Sequence, residues 1–227
     1  MKKRVFYSEA AYLLGIIFLA MATALIEAAD FGVSMVVAPA YLLHLKLSQY
    51  FPFFSFGIAE LTLQIMIIAL IALILKRIKF SYLFSFVTIA VYGALLDLSM
   101  AVIDFFPTDH IAVRILIFTI GVFVCSASVS LLFHTYISPE AYELFVKEVS
   151  SKFGLNINKF KTCYDCTSCL IGIIMSFIFF GFGHFEGIKF GTVLCALLNG
   201  FLIGRFSNLY EKRFEFKDKF KFRKYFE

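Results

Sequence analysis

Six stretches of about twenty apolar residues, at about 9–30, 55–76, 81–104, 111–134, 166–184 and 188–206, leave this 227-residue chain few structures to adopt. The hydrocarbon core of a bilayer is about 30 Å thick, and a helix needs about 20 apolar residues to cross it. Within lipid each backbone N–H and C=O must find its partner inside the segment, so such stretches form helices. The expected fold is all-α: a polytopic membrane helical bundle of six transmembrane helices, one domain over residues 1–227. The chain is 61% hydrophobic and 16% charged, against about a quarter charged in soluble domains. Its mean hydropathy is +0.87. Lys2, Lys3 and Arg4 precede the first stretch, but Glu27 and Asp30 stand where a cleaved leader carries small residues, so it reads as a span.

Basic residues set the orientation. With the N-terminus cytoplasmic, 18 of the 21 Lys and Arg fall inside, leaving Lys46, Arg114 and Lys189 outside. Both termini are therefore expected on the cytoplasmic side of the membrane. The net charge of +5 consists of such flanking residues and forms no basic groove, which argues against nucleic acid and makes the lipid bilayer the first partner.

Two connections exceed simple turns. Residues 31–54 hold an apolar run, 33–43, too short to span and punctuated by Gly32 and Pro39. It reads as a re-entrant or interfacial segment completing a broken first helix. Residues 139–153 begin with Pro139 and Glu140 and carry the stripe Tyr142, Phe145, Val146 and Val149, the pattern of an amphipathic helix on the cytoplasmic membrane surface.

Shifts of 106 and 107 residues lay the second half of the chain on the first, Gly15 on Gly121 and Gly93 on Gly200 among them. Each half, about 5–107 and about 111–210, holds three spans, an odd number, so the expected arrangement is a 3+3 inverted repeat followed by a basic tail, 211–227. Secondary transporters often use this design, with the substrate at the repeat interface.

Ionisable side chains within spans cost about 2.5–3.5 kcal/mol each on insertion scales, so those present mark candidate sites. Glu27, Asp30, Glu60, Gln64, Asp97, Asp104 and Arg114 fall toward the outer side, with Glu60 and Gln64 on one helix face. His134, Asp165, Ser168 and Asn199 fall toward the inner side. Span-end residues among these, Glu27 and Asp30 included, also fit simple solvation, and His134 fits a cap. Cys163, Cys166 and Cys169 invite a redox or soft-metal reading, but they sit at the expected cytoplasmic mouth of the fifth span, a reducing place, and equally fit helix packing. Ala20, Ala24 and Ala28, with the Gly200-x-x-x-Gly204 motif, suit close helix contact within the monomer or in a homodimer.

The segments Ala29-Asp-Phe-Gly-Val-Ser-Met-Val-Val-Ala-Pro-Ala-Tyr41, Phe56-Gly-Ile-Ala-Glu60, Tyr92-Gly-Ala-Leu-Leu-Asp97, His134-Thr-Tyr, Tyr164-Asp165 with Ser168, and Gly191-Thr with Asn199-Gly200 resemble the YczE/YyaS/YitT-type bacterial membrane proteins over nearly the whole chain. The resemblance implies a protein of the bacterial cytoplasmic (inner) membrane suspected of transport, and does not demand the three cysteines.

The leading expectation is a small secondary transporter of a polar or cationic solute or ion, coupled to protons, with no enzyme activity and no cofactor. Acidic Glu60, Asp97 and Glu27 would hold the cationic group, with Asp165, Ser168 and Asn199 at an inner gate. The alternatives are a substrate-binding subunit of an energy-coupling vitamin transporter, and a membrane thiol oxidoreductase or metal protein using the cysteine run. No Ser-His-Asp set, phosphate-binding loop or paired catalytic carboxylate motif suggests another enzyme.

Overall fold

The computed structural model describes residues 3–54, 56–76, 80–103, 110–181, 187–220 and 223. Six of its helices are long and apolar enough to cross a membrane: α1 (Ser8–Ala28), α3 (Phe56–Leu75), α4 (Phe80–Ile103), α5 (Ile111–Phe133), α7 (Ile157–Phe180) and α8 (Phe190–Arg213). Two shorter helices, α2 (Ala38–Leu47) and α6 (Ala141–Phe153), follow α1 and α5. The expected all-α membrane bundle is present. Added to it is a parallel pair of four-residue strands, β1 (Arg4–Tyr7) and β2 (Phe214–Lys217), in register from Arg4 opposite Phe214 to Tyr7 opposite Lys217. The pair brings both chain ends to one face of the bundle, called here the near face. The expected tail is thus partly docked: backbone N–H groups of Lys219 and Phe220 donate to the Glu9 carboxylate.

Local chemistry explains the boundaries. Asp30 ends α1 in the left-handed region, φ 55°, which Asp tolerates through its short polar side chain. Gly154 closes α6 at φ 63°, a conformation without Cβ penalty for glycine alone. The fifth span begins about nine residues before the expected start, because Asn156 caps it, accepting from the N–H groups of Asn158 and Lys159 at 3.1 Å each. Its early turns can enter the bundle because the charge of Lys161 is paired there.

The two short helices run inside the bundle. Residues 33–37 turn back from the far face, with Val33, Met35, Val36 and Val37 buried, and α2 then packs between α3 and α7. This is the segment expected as re-entrant or interfacial, and it packs inside the bundle. Helix α6 forms where expected, but its Tyr142, Val146 and Val149 stripe is turned into the protein against α3 and α7 rather than toward lipid. Irregular backbone at this depth needs internal partners. Thr192 donates to the Val33 carbonyl at 2.7 Å, Ser85 to the Pro139 carbonyl at 2.8 Å, and Thr88 to the Ser138 carbonyl at 2.9 Å.

Helices α1 and α5 make the most extensive pairing in the molecule. A methyl group on Gly15 would lie 2.8 Å from a Leu132 side-chain carbon and 3.4 Å from the Ser128 carbonyl oxygen. One on Gly121 would lie 2.8 Å from Ile26 and 3.2 Å from the Ala22 carbonyl oxygen. Ala20 and Ala24 are buried on α1. Gly200 and Gly204 are covered within the chain by Asn158 and Thr162 of α7.

Because backbone atoms crowd Gly121, they cannot move aside as a side chain can. Gly121→Ala should therefore cost about 1–3 kcal/mol through overpacking, read as a lower melting temperature in detergent. Gly93→Ala, whose added methyl meets nothing within 4 Å, should melt no lower than the parent protein.

Candidate functional site

On α7, Lys161 precedes Asp165 by one turn, which puts both on one helix face. Both are buried, Lys161 at 1% exposure. The Lys161 ammonium lies 2.9 Å from Asp165 Oδ1 and 3.0 Å from Glu143 Oε1 on α6. Both contacts are ion pairs, and Glu143 also accepts a hydrogen bond from the ammonium. Asn199 of α8 donates to Asp165 Oδ2 at 3.5 Å and accepts from Ser126 of α5 at 2.7 Å. One buried network therefore joins α6, α7, α8 and α5.

A second set of groups adjoins it. On α3, the Gln64 amide donates to Glu60 Oε1 at 3.2 Å and its carbonyl accepts from the Ala141 N–H at 3.1 Å. That bond satisfies one of the open N–H groups in the first turn of α6. The Tyr142 hydroxyl faces the Glu60 carboxyl. The Glu140 carboxyl lies beside that of Glu143. Burial pushes the Glu140 carboxyl well above the ordinary carboxylate range, and the neighbouring Glu143 charge adds to the shift.

Four buried carboxyl groups, Glu60, Glu140, Glu143 and Asp165, thus adjoin one another, and the Lys161 ammonium contacts two of them, Glu143 and Asp165. Glu60 Oε2, Glu140 Oε2, Glu143 Oε2 and the Tyr142 hydroxyl have no hydrogen-bond partner among the described residues. Unpaired charge in a dry interior is costly, so protons or a cationic ligand must balance the cluster. The α6 N-terminus, where Glu140 and Glu143 sit, offsets part of the negative charge through its dipole. Two cavities of about 10 Å³, each the room of a single water, meet across Ser34, Met35, Cys125 and Asn199. One of them reaches Glu140, Glu143 and Lys161.

Of the residues singled out in the sequence, Glu60, Gln64, Asp165 and Asn199 come together here. The expected outer and inner groups therefore adjoin in one cluster instead of standing at opposite ends. Ser168, one turn beyond Asp165, faces the Tyr164 hydroxyl. Asp97 is exposed on α4, away from the network, and Glu27 is half-buried near the far end of α1. Asp104 lies outside the described residues. Sequence reading missed Glu140, Glu143, Lys161, Tyr142 and Ser126. The i,i+3 spacing of Glu140 and Glu143 after Pro139, and the i,i+4 spacing of Lys161 and Asp165, were the available signals.

Each face also carries a polar knot. On the far face Asp30 receives Arg114 at 2.8 Å and also pairs with Lys189. The hydrogen-bonded Lys189 ammonium holds the Asp30 carboxyl below its usual range, and Arg114 adds to this. Arg114 also donates to the Ala29 carbonyl at 2.8 Å. On the near face Tyr136 donates to Glu9 at 2.8 Å. His134 contacts Glu211 at 3.3 Å and stacks on Phe216, ring centroids 4.8 Å apart. The three cysteines of α7 differ in burial: Cys163 is exposed, Cys166 half-buried with its thiol toward the Ala196 carbonyl, and Cys169 buried. Among the described residues no three His, Cys, Asp or Glu side chains are arranged to hold a metal ion.

Fold and site together define a multi-pass helical membrane protein with an acidic cluster inside its bundle. The chain matches the "Family of unknown function (DUF6198)" over residues 6–208, and it belongs to that family. No curated protein and no solved structure matches it.

Two outcomes follow from the charge balance. Lys161→Met strands two buried carboxylates and should cost about 3–5 kcal/mol; adding Glu143→Gln and Asp165→Asn should restore most of the melting temperature. Glu140 has a folded pKa above its unfolded one, so between the two values the folded state holds a proton that the unfolded state loses. Stability then falls as pH rises through that window, by up to about 1.4 kcal/mol per pH unit. Glu140→Gln should flatten that slope in melts from pH 4 upward, measured in steps of about one unit.

Proposed function

We propose that this protein is a small secondary carrier of the bacterial cytoplasmic membrane, and not an enzyme. In this reading it is built from two inverted halves, and its acidic cluster binds a small polar or cationic solute in exchange for protons. The observation that carries the reading is the cluster itself: four buried carboxyls with one ammonium, several of their oxygens unpartnered, at the α6 N-terminus. Buried ionisable groups of this kind mark ion and proton paths in membrane proteins.

Reciprocal contacts support the inverted halves. A shift of 106 residues carries Gly15, Ala22 and Ile26 onto Gly121, Ser128 and Leu132, and the contacts exchange accordingly: Gly15 meets Leu132 and Ser128, while Gly121 meets Ile26 and Ala22. A two-fold interface has this self-complementary form. The shifts also carry Val33 to Pro139 and Ser85 to Thr192, and each hydroxyl reaches the other half's carbonyl. Packing of α1 on α4 has its counterpart in α5 on α8, and α2 on α7 in α6 on α3. Such a carrier would expose its central site to each face in turn, with the Asp30–Arg114–Lys189 knot closing one side and the Glu9–Tyr136 knot the other.

The positive-inside bias puts the near face, with both termini, in the cytoplasm. The pairing of Lys161 inside the bundle removes one cation from that count and leaves its direction unchanged. Membership of the narrower YczE/YyaS/YitT-type group belongs to the same proposal.

Proteoliposomes holding a pH dye provide the test, with inward gradients of sodium, methylammonium or guanidinium applied in turn. A proton flux driven by at least one of these cations should appear with the wild-type protein. It should fall about tenfold or more in Glu143→Gln, a loss of ~1.4 kcal/mol in the transport step. Absence of flux with all three cations would overturn the reading.

A further inference from the structure

Helices α3 and α7 are held apart by α2 and α6, each of which packs on both. Between them lies a cavity of about 360 Å³, within the size range of small-molecule sites. Leu63 and Ile67 of α3 form one wall, and Val36 and Pro39, leading into α2, close one end. The rest is largely aromatic: Tyr142 and Phe145 of α6, with Phe160 and Tyr164 of α7. Phe145 anchors this group, with ring centroids 5.3 Å from Tyr164 and 6.2 Å from Phe160. The Lys161 ammonium sits over the Tyr164 ring at 5.6 Å, so the aromatic wall also separates the cavity from the buried ion pairs.

At the inner end the wall becomes polar. Tyr142 lines the cavity and is 1% exposed, and its buried hydroxyl meets no hydrogen-bond geometry among the described residues. It faces Glu60, whose Oε2 has no partner among the described residues and whose residue is 8% exposed. Glu60 lies one turn from Leu63 and two from Ile67, on the face of α3 that lines the cavity. The other side is rimmed by Cys163 and Thr167, both exposed on the outside of α7. An aromatic-walled space with the buried Glu60 carboxyl, one oxygen of it unpartnered among the described residues, behind its Tyr142 wall matches a cation that carries its own apolar body. Ring faces attract the cation, the carboxyl neutralises it, and the apolar body replaces the hydrocarbon otherwise needed to fill the space.

The geometry points to a binding site for a hydrophobic organic cation between α3 and α7, reached sideways from the bilayer past Thr167, with its charged end at Glu60 and Tyr142. This rests on the carrier reading above and narrows its substrate to hydrophobic ammonium compounds.

The probe is phenyltrimethylammonium, measured against tert-butylbenzene, which has nearly the same shape and no charge. Binding to the purified full chain is read by equilibrium dialysis and by the shift in melting temperature. Phenyltrimethylammonium should bind about tenfold or more tightly than the neutral compound, and Glu60→Gln should remove that preference. Thr167→Trp plugs the rim without touching the acidic cluster and should also abolish binding, so the site stays testable if Glu60→Gln fails to fold. Equal binding of the two compounds would mean a crevice filled by lipid chains and would overturn the inference. So would full binding in Thr167→Trp. Proton flux with small cations but no phenyltrimethylammonium binding would overturn this inference alone, while loss of both would remove the carrier reading with it.

Discussion

One ammonium group, Lys161, stands between carboxylates on two different helices, and much of the bundle is arranged so that it can. A lysine buried this deeply needs counter-charges within reach, and α7 by itself supplies only Asp165. The second comes from Glu143, which requires the first turn of α6 to lie inside the protein. That placement explains why α6, amphipathic enough for a membrane surface, packs between α3 and α7 instead. It also explains the early start of α7, since the segment holding Lys161 becomes interior once its charge is paired. Asn199 and Ser126 then carry the network to α8 and α5.

Placing a helix N-terminus inside a bundle leaves open N–H groups and irregular backbone at depth. The side chains that resolve this are small and local. Gln64 reaches the Ala141 N–H, while Ser85, Thr88 and Thr192 reach the carbonyls of Pro139, Ser138 and Val33. None of these residues is unusual in a membrane helix, and each replaces a backbone bond that a continuous helix would have made. The acidic cluster is the exception. Several of its oxygens remain without a hydrogen-bond partner among the described residues, which separates it from the structural polar contacts around it.

The bundle was legible because apolar length is a local property: each span announces itself within about twenty residues. The re-entrant segment was legible for the same reason, through a run too short to span with Gly32 and Pro39 in it. The site was only half legible. Glu60, Gln64, Asp165 and Asn199 stand out because a polar residue inside an apolar run is conspicuous. Lys161, Glu140 and Glu143 do not, because they sit in polar-looking stretches, and their burial follows from one another's charge over distances that sequence spacing does not encode. The β1–β2 pair was hidden for a related reason: four-residue strands at opposite ends of the chain carry no periodicity long enough to notice. Asp97 shows the converse, a carboxylate within a span that ends up exposed on α4.

On the proposed two-fold reading, the two sides of the axis differ in a way that bears on movement. Along one side α1 and α5 meet through Gly15 and Gly121, where an added methyl group would run into the Leu132 and Ile26 side chains with backbone atoms close behind. Packing this tight has few alternative arrangements and behaves as a fixed pivot. Along the other side α3 and α7 do not close on each other, and the space between them is held by α2 and α6, whose N-termini lie inside the bundle. Tilting the halves about the glycine pivot would therefore change the α3–α7 cleft most. Glu60 and the α6 N-terminus lie beside that cleft. A cation or proton that completes the unbalanced cluster would change the electrostatic energy where the structure is most free to respond, and binding there could set which knot, Asp30 with Arg114 or Glu9 with Tyr136, stays closed.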